Sequence, residues 1–400
     1  MLRSEAAPRF DLDDPAQAAG MLQHLEEHGY AVVASVASEE DIRAAKESFW
    51  NFQCSVPGIS RHDPGTWDGP GWVGSAESGI CSGKGFNHSD FMWNARLLPK
   101  VKQAFGLIWG TDELIVSFDA GNVFRPWTYN PHWLTKGGWW HVDQNARKAD
   151  RQGRVCIQGF VSYYDATEAT GGLCVIPRSH LLHEKISLLG DKTMDYIAIP
   201  DVSNLGLGGG VLVCARGGDL VLWDSRTVHC NTPALAERPT CTVTPPEINP
   251  QNPLGYLAQA DSDVSVAVDV SKIDIHSESI PPTHPTHPTL HTHRDTNTTH
   301  RPTSTGPQEI NPLPTQQEQQ EIIRLVAYVC MLPRAAATPR CIQQRKEALV
   351  RKISTSHWPT QKIGLNNRPV VDPIDPQSCA DEKLRLVGYS GEEIAALREV

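Results

Sequence analysis

Between Glu113 and Met331 the chain advances in short β-rich runs: Leu114 to Phe118, Val155 to Tyr164, Leu173 to Ile176, Gly210 to Cys214, Asp219 to Trp223 and Leu325 to Met331. Gly, Pro, Asn and Asp turns separate them, and no long helical pattern links successive runs. That excludes alternating βαβ units and predicts a mainly β chain with flanking helices (α+β), folded as a β-sandwich or jelly roll. One stretch breaks the pattern. From His276 to Pro307, His, Thr and Pro make up 21 of 32 residues, too little apolar surface to offset the entropy of ordering. Pro246-Glu247-Ile248-Asn249-Pro250 before it is nearly repeated by Gln308-Glu309-Ile310-Asn311-Pro312 at its end, as expected of a segment inserted into an older continuous domain. The expected organisation is therefore a single domain begun by 1–243, a low-complexity, disordered insertion over 244–320, the remainder of the domain over 321–360, and a C-terminal strap with a short helix over 361–400.

Helical signals lie outside the β block. Asp14-Pro15 reads as an N-cap and first turn, with Gly29 ending the helix; Ser38 and Asp41 read as a capping box, as do Ser390 and Glu393. Arg340 to Lys352 carries helix-forming residues. Thirty-six Lys and Arg against 46 Asp and Glu give a formal charge of −10, which argues against nucleic acid or an anionic membrane surface as the main partner. No run approaches the ~18 apolar residues of a membrane span. The start, Met1-Leu2-Arg3-Ser4-Glu5, lacks a signal peptide's apolar run, and Arg398-Glu399-Val400 is not a peroxisomal address. The expectation is a soluble, cytoplasmic protein. Ten cysteines without a CxxC pair read as buried small hydrophobes in a reducing compartment.

A mononuclear iron oxygenase needs two imidazoles and one carboxylate on one side of the metal, with the other positions open. The compact sequence form is His-x-Asp plus a distal histidine. Three such triplets occur: His88-Ser89-Asp90, His141-Val142-Asp143 and His293-Arg294-Asp295. The third lies in low complexity, where no rigid scaffold holds it. The first follows Ser82-Gly83-Lys84-Gly85 and reads as a loop pair or a substrate-side contact. The second enters the β block after Gly137-Gly138-Trp139-Trp140, and strand alternation places His141 and Asp143 on one face.

Downstream of that pair come Gly171-Gly172-Leu173, Pro177-Arg178-Ser179-His180, Gly218-Asp219-Leu220-Val221-Leu222-Trp223-Asp224 and Thr227-Val228-His229. In this collinear series the chain resembles the phytanoyl-CoA dioxygenase family of iron(II)/2-oxoglutarate-dependent oxygenases, over roughly Leu22 to Arg351 with the insertion removed. The family usually has Gly where Arg178 stands, a departure in a turn. The resemblance implies a double-stranded β-helix (jelly roll, cupin-like) holding iron(II) through His141, Asp143 and His229. It also implies an arginine on the next strand for the distal carboxylate of 2-oxoglutarate. Arg238 has the right distance from His229 but a turn-like context; Arg324 opens a strand, which fixes its fork better. Asn231 shares His229's face by alternation and could donate to a bound carboxylate. Asn122 and Arg125, before the metal pair, could line the pocket, with Trp139 and Trp140 as wall or core.

The implied reaction consumes 2-oxoglutarate and dioxygen, releases succinate and carbon dioxide, and hydroxylates an unactivated C–H of a small-molecule substrate. Related halogenases replace the metal carboxylate with a small residue, so Asp143 implies hydroxylation. Two alternatives are a cupin-like metalloenzyme that does not use 2-oxoglutarate and a non-catalytic binding protein descended from the family. Neither the substrate nor an oligomeric state is legible in the sequence.

Overall fold

The structure is a computed structural model that describes residues 3–81, 83, 85–235, 321–360 and 372–399. Local chemistry sets its helix ends. Asp14 accepts from the backbone N–H groups of Ala16 and Gln17, and Gly29 closes α1 (Pro15–His28) at φ 81°, a left-handed conformation that a β-carbon resists. Ser38 and Asp41 form a reciprocal capping box on α2 (Glu39–Cys54). The remaining helices are α3 (Asp90–Leu97), α4 (Pro99–Trp109), α5 (His183–Ser187), α6 (Pro339–Val350), α7 (Asp381–Val387) and α8 (Gly391–Arg398).

In chain order the strands are β1 (Arg3–Ala6), β2 (Arg9–Phe10), β3 (Tyr30–Val33), β4 (Ile80–Cys81), β5 (Leu114–Val116), β6 (Gly121–Phe124), β7 (His141–Val142) and β8 (Ile157–Ser162). There follow β9 (Gly172–Val175), β10 (Ile197–Ala198), β11 (Val211–Cys214), β12 (Leu220–Asp224), β13 (His229–Thr232), β14 (Arg324–Val329) and β15 (Met331–Pro333). A seven-stranded sheet runs β2-β3-β12-β8-β14-β6-β4 and a six-stranded sheet β1-β11-β9-β13-β7-β10, with β15 and β5 paired separately. Phe160, Val221 and Val326 of the first sheet and Leu173, Val175, Val211 and Val213 of the second share one buried cluster, so the sheets pack face to face. The opposite face of the seven-stranded sheet, with Ala31, Val161, Leu222 and Leu325, joins Met21, Phe49, Phe91 and Val101 of the helices.

Several expectations need correcting. β3, which the sequence leads one to expect over Tyr30 to Val36, stops at Val33 because Ser35 turns at φ 51°, and the run from Leu325 to Met331 divides at Cys330 into β14 and β15. Helices α3 and α4 lie where no helix was anticipated. Part of the expected strap is α7, which buries Leu384, Leu386 and Val387; three apolar residues within four positions repay a short helix that the prolines before it disguise. Residues 236–320 and 361–371, and with them the supposed insertion, Arg238, the His293-Arg294-Asp295 triplet and the middle of the strap, lie outside the described residues. The described residues belong to one compact unit drawn from both sides of that stretch. Among them, no helix is long and apolar enough to cross a membrane.

Candidate metal centre

Antiparallel pairing of β13 with β7 sets His229 directly across from His141, and alternation returns Asp143 to the same side as His141. The three offer donor atoms that all lie within 4.8 Å of one another. Asp143 Oδ1 is 3.6 Å from His141 Nε2, and its Oδ2 is 3.4 Å from His229 Nε2. Both rings are held from behind: His141 Nδ1 is 3.1 Å from the Trp139 carbonyl and His229 Nδ1 2.9 Å from that of Thr227. A carbonyl can only accept, so each Nδ1 carries the proton and each Nε2 presents its lone pair to the centre. Gln158, on β8 of the facing sheet, donates to Asp143 Oδ2 at 2.9 Å. Trp139 and Tyr196 stack on the two sides of His141, with centroids 5.0 and 4.8 Å away.

Charge reinforces this geometry. Burial pushes the Asp143 carboxyl up, but the neighbouring His141, His357 and His229 hold it well below the usual carboxylate range. Burial, helped by His141, lowers His229 and keeps that imidazole neutral. Asp143 raises His141 against the effect of its burial; two imidazoles and one ionised carboxylate, converging on one buried point, fit a divalent iron.

The three donors line a cavity of about 170 Å³ with Ile80, Asp119, Gln158, Asn231 and Tyr328 among its other walls. Behind it, Arg324 is 2 % exposed. Its Nε donates to Asn122 Oδ1 at 3.3 Å, while Nη1 and Nη2 are sealed from solvent without a hydrogen-bond partner. The guanidinium lies over Phe160 and Phe124, 4.9 and 5.4 Å from the ring centroids. It approaches Gly172 so closely that a β-carbon there would sit 2.9 Å from Nη1, which explains a glycine at the start of β9. Tyr328, on the same face of β14, lies close to both Arg324 and Asn231.

The other sequence candidates part company here. Asn122 does not line the cavity; it braces Arg324 and donates to the Ser78 carbonyl at 2.8 Å. Arg125 does not reach the cavity either: its guanidinium is committed to Asp68 and the Trp67 carbonyl and lies over Trp133. His88 is a core residue rather than a substrate contact, with Nε2 2.8 Å from the Ile353 carbonyl and Asp90 in the first turn of α3. Arg178 sits at φ 69°, the left-handed turn that favours glycine. Sequence reasoning missed Gln158, Tyr196, Tyr328, Asp119 and His357. Only Gln158, polar in a wholly buried strand, and Tyr328, four residues from Arg324 on the same face, carried a readable signal.

The chain is similar to several known proteins. The pattern of the phytanoyl-CoA dioxygenase (PhyH) family matches residues 25–234. The Ava biosynthesis cluster protein O of Aspergillus versicolor is 29 % identical over 167 residues, 36 % of this chain and 50 % of that protein, so the chain spans about half the length of that relative. A Dictyostelium discoideum protein named after the same family is 24 % identical over 243 residues, 52 % of this chain and 68 % of the other. Among solved structures, the epimerase SnoN in complex with Fe3+, alpha ketoglutarate and nogalamycin RO overlaps 56 % of this chain and 80 % of its own, at 15 % identity and a TM-score of 0.42. EvdO2 from Micromonospora carbonacea var. aurantiaca, complexed with 2-oxoglutarate, overlaps 55 % and 85 % at 14 % identity and a TM-score of 0.33. With over half of its residues matched, and all three donors of the metal centre inside the match, the chain belongs to the phytanoyl-CoA dioxygenase family.

Proposed function

We propose that this protein is an iron(II)- and 2-oxoglutarate-dependent dioxygenase that hydroxylates a C–H bond of a small organic substrate. One observation carries the reading: a buried two-histidine, one-aspartate donor set shares its surroundings with a buried arginine whose terminal nitrogens have no partner. A metalloenzyme that did not use 2-oxoglutarate would have no use for an unpaired guanidinium there, since an uncompensated buried charge costs several kcal/mol. We assign β6 to β9 and β11 to β14 to a double-stranded β-helix. What supports this is the way the chain switches between sheets: β6, β8, β12 and β14 in one, β7, β9, β11 and β13 in the other.

His141, Asp143 and His229 would hold iron(II), and Arg324, braced by Asn122, would take the distal carboxylate of 2-oxoglutarate, with Asn231 and Tyr328 beside it. When bound, iron supplies the redox chemistry that couples dioxygen reduction to decarboxylation of 2-oxoglutarate. The overall balance is substrate C–H, dioxygen and 2-oxoglutarate giving substrate C–OH, succinate and carbon dioxide. Gln158 keeps the Asp143 carboxylate oriented, and the Trp139 and Tyr196 rings exclude water from His141. With Asp143 in place no position is freed for a halide, so hydroxylation persists in excess chloride; a chlorinated product would contradict this assignment. The direct test is succinate release from 2-oxoglutarate by the purified chain. It should require iron(II) and oxygen together, and release that continues without added iron in chelator-treated protein would overturn the proposal.

A further inference from the structure

The cavity lining contains two carboxylates, and the metal centre uses only one. Asp119 is the other. It sits just before β6 and lines the same cavity as His141, Asp143 and His229. Its Oδ1 accepts from the Ala120 N–H at 2.7 Å. Oδ2 takes no hydrogen bond from the described residues, and the residue is only partly buried. The neighbouring wall is otherwise apolar or committed: Ile80, Ala120 and Phe160 have no side-chain acceptor, Gln158 serves Asp143, and Asn231 and Tyr328 serve the arginine end.

A second segment comes to the same place. Phe118 donates to Thr355 Oγ1 at 2.8 Å and accepts from the Thr355 N–H at 3.1 Å, which lays residues 355–358 alongside Asp119. His357 follows, its Nε2 sealed and without a partner and its ring against Trp358. Burial raises the Asp119 carboxyl, and His357 is the foremost group pulling it back down.

We propose that Asp119 is the substrate anchor of the metal cavity, that His357 is its positioning residue, and that the substrate carries a hydroxyl or amino group near the carbon that is oxidised. This rests on the oxygenase assignment for the reaction but not for the binding. An ionised or hydrogen-bonding acceptor beside aromatic walls selects a molecule with an apolar body and one donor. Hydroxyl and ammonium donors share this chemistry and separate by charge: an Asn side chain keeps an acceptor for the first and loses the ion pair for the second.

Tryptophan fluorescence of the full chain, with Trp139 and Trp223 in the cavity wall, reads binding without turnover. The probes are matched triplets of small molecules differing only in a hydroxyl, an amino or a methoxy group. Donor-bearing members should bind at least about tenfold more tightly than their methoxy partners. Asp119→Ala should erase the preference, and Asp119→Asn should keep it for alcohols and lose it for amines. His357→Gln should weaken it by a smaller factor. Equal behaviour across the triplets, including no binding by any member, overturns the proposal, as does a preference that survives Asp119→Ala. Iron-dependent succinate release by the parent chain is measured separately; its absence alongside an intact donor preference would remove the oxygenase assignment and leave the anchor standing.

Discussion

His88-Ser89-Asp90 and His141-Val142-Asp143 have the same spacing and opposite fates. The first enters a helix: Ser89 caps α3 and Asp90 begins it, so the histidine and the carboxylate leave the backbone in different directions. His88 turns inward, packs its ring at a tilt against Phe118 and hydrogen-bonds the Ile353 carbonyl through Nε2. The second pair enters a strand, where residues two apart share a face, and a distal histidine waits across the ladder. The interval between a histidine and an aspartate therefore carries no chemistry until the backbone decides whether they face the same way.

The largest expected effect separates the pairs outright. His141→Ala or His229→Ala should abolish tight iron binding and reduce succinate release below about 1 % of the parent. His88→Ala should leave one iron bound per chain and cost stability instead, about 2–4 kcal/mol for a buried ring and its hydrogen bond. Equilibrium unfolding beside iron stoichiometry checks both; iron lost on changing His88 would break the comparison. Next in size, Arg324→Ala should raise the KM for 2-oxoglutarate about 100-fold through loss of a charge-assisted bidentate contact, with Arg324→Lys between. A silent Arg324→Ala with a large defect in Arg238→Ala would move the co-substrate site.

The two histidines also differ with pH. Burial, aided by the positive charges of Arg96, Lys383 and Arg345, pushes His88 down to about 3 from an ordinary 6.5. The unfolded chain takes up this proton as pH falls through 6.5, whereas the native chain does not until about 3. Stability contributed by neutral His88 is thus complete above 6.5 and lost progressively below it. Urea unfolding of His88→Gln between pH 7 and 4 should show a shallower loss than the parent; an identical slope would place the sensitivity elsewhere. The smallest effect concerns 244–320. If that segment is an insertion, closing it costs only about 1–2 kcal/mol more than a ten-residue connection, and its replacement with a short Gly/Ser linker should preserve folding and 2-oxoglutarate turnover. Collapse of either would make that segment part of the core.

What was legible in the sequence was local or periodic. Asp14, Gly29, Ser38 and Ser390 act within one turn of themselves, so their roles could be read directly. His141 with Asp143, and His229 with Asn231, follow from a period of two. Arg125 misled because a cation near a pocket-forming strand says nothing of its partner, and Asp68 lies 57 residues away in sequence. Asp119, Tyr196 and His357 come from irregular segments, and His357 comes near Asp119 only because Thr355 pairs with Phe118. No window of sequence contains the Thr355–Phe118 contact.

Anaerobic titration of the purified chain with iron(II), then 2-oxoglutarate, tests the central claim most directly, run on the parent, His88→Ala and His229→Ala. One iron per chain in the parent and in His88→Ala, a visible absorption band appearing on addition of 2-oxoglutarate, and neither signal in His229→Ala are the expected results. Equal iron binding by the parent and His229→Ala, or its loss only in His88→Ala, would contradict the assignment of the metal centre.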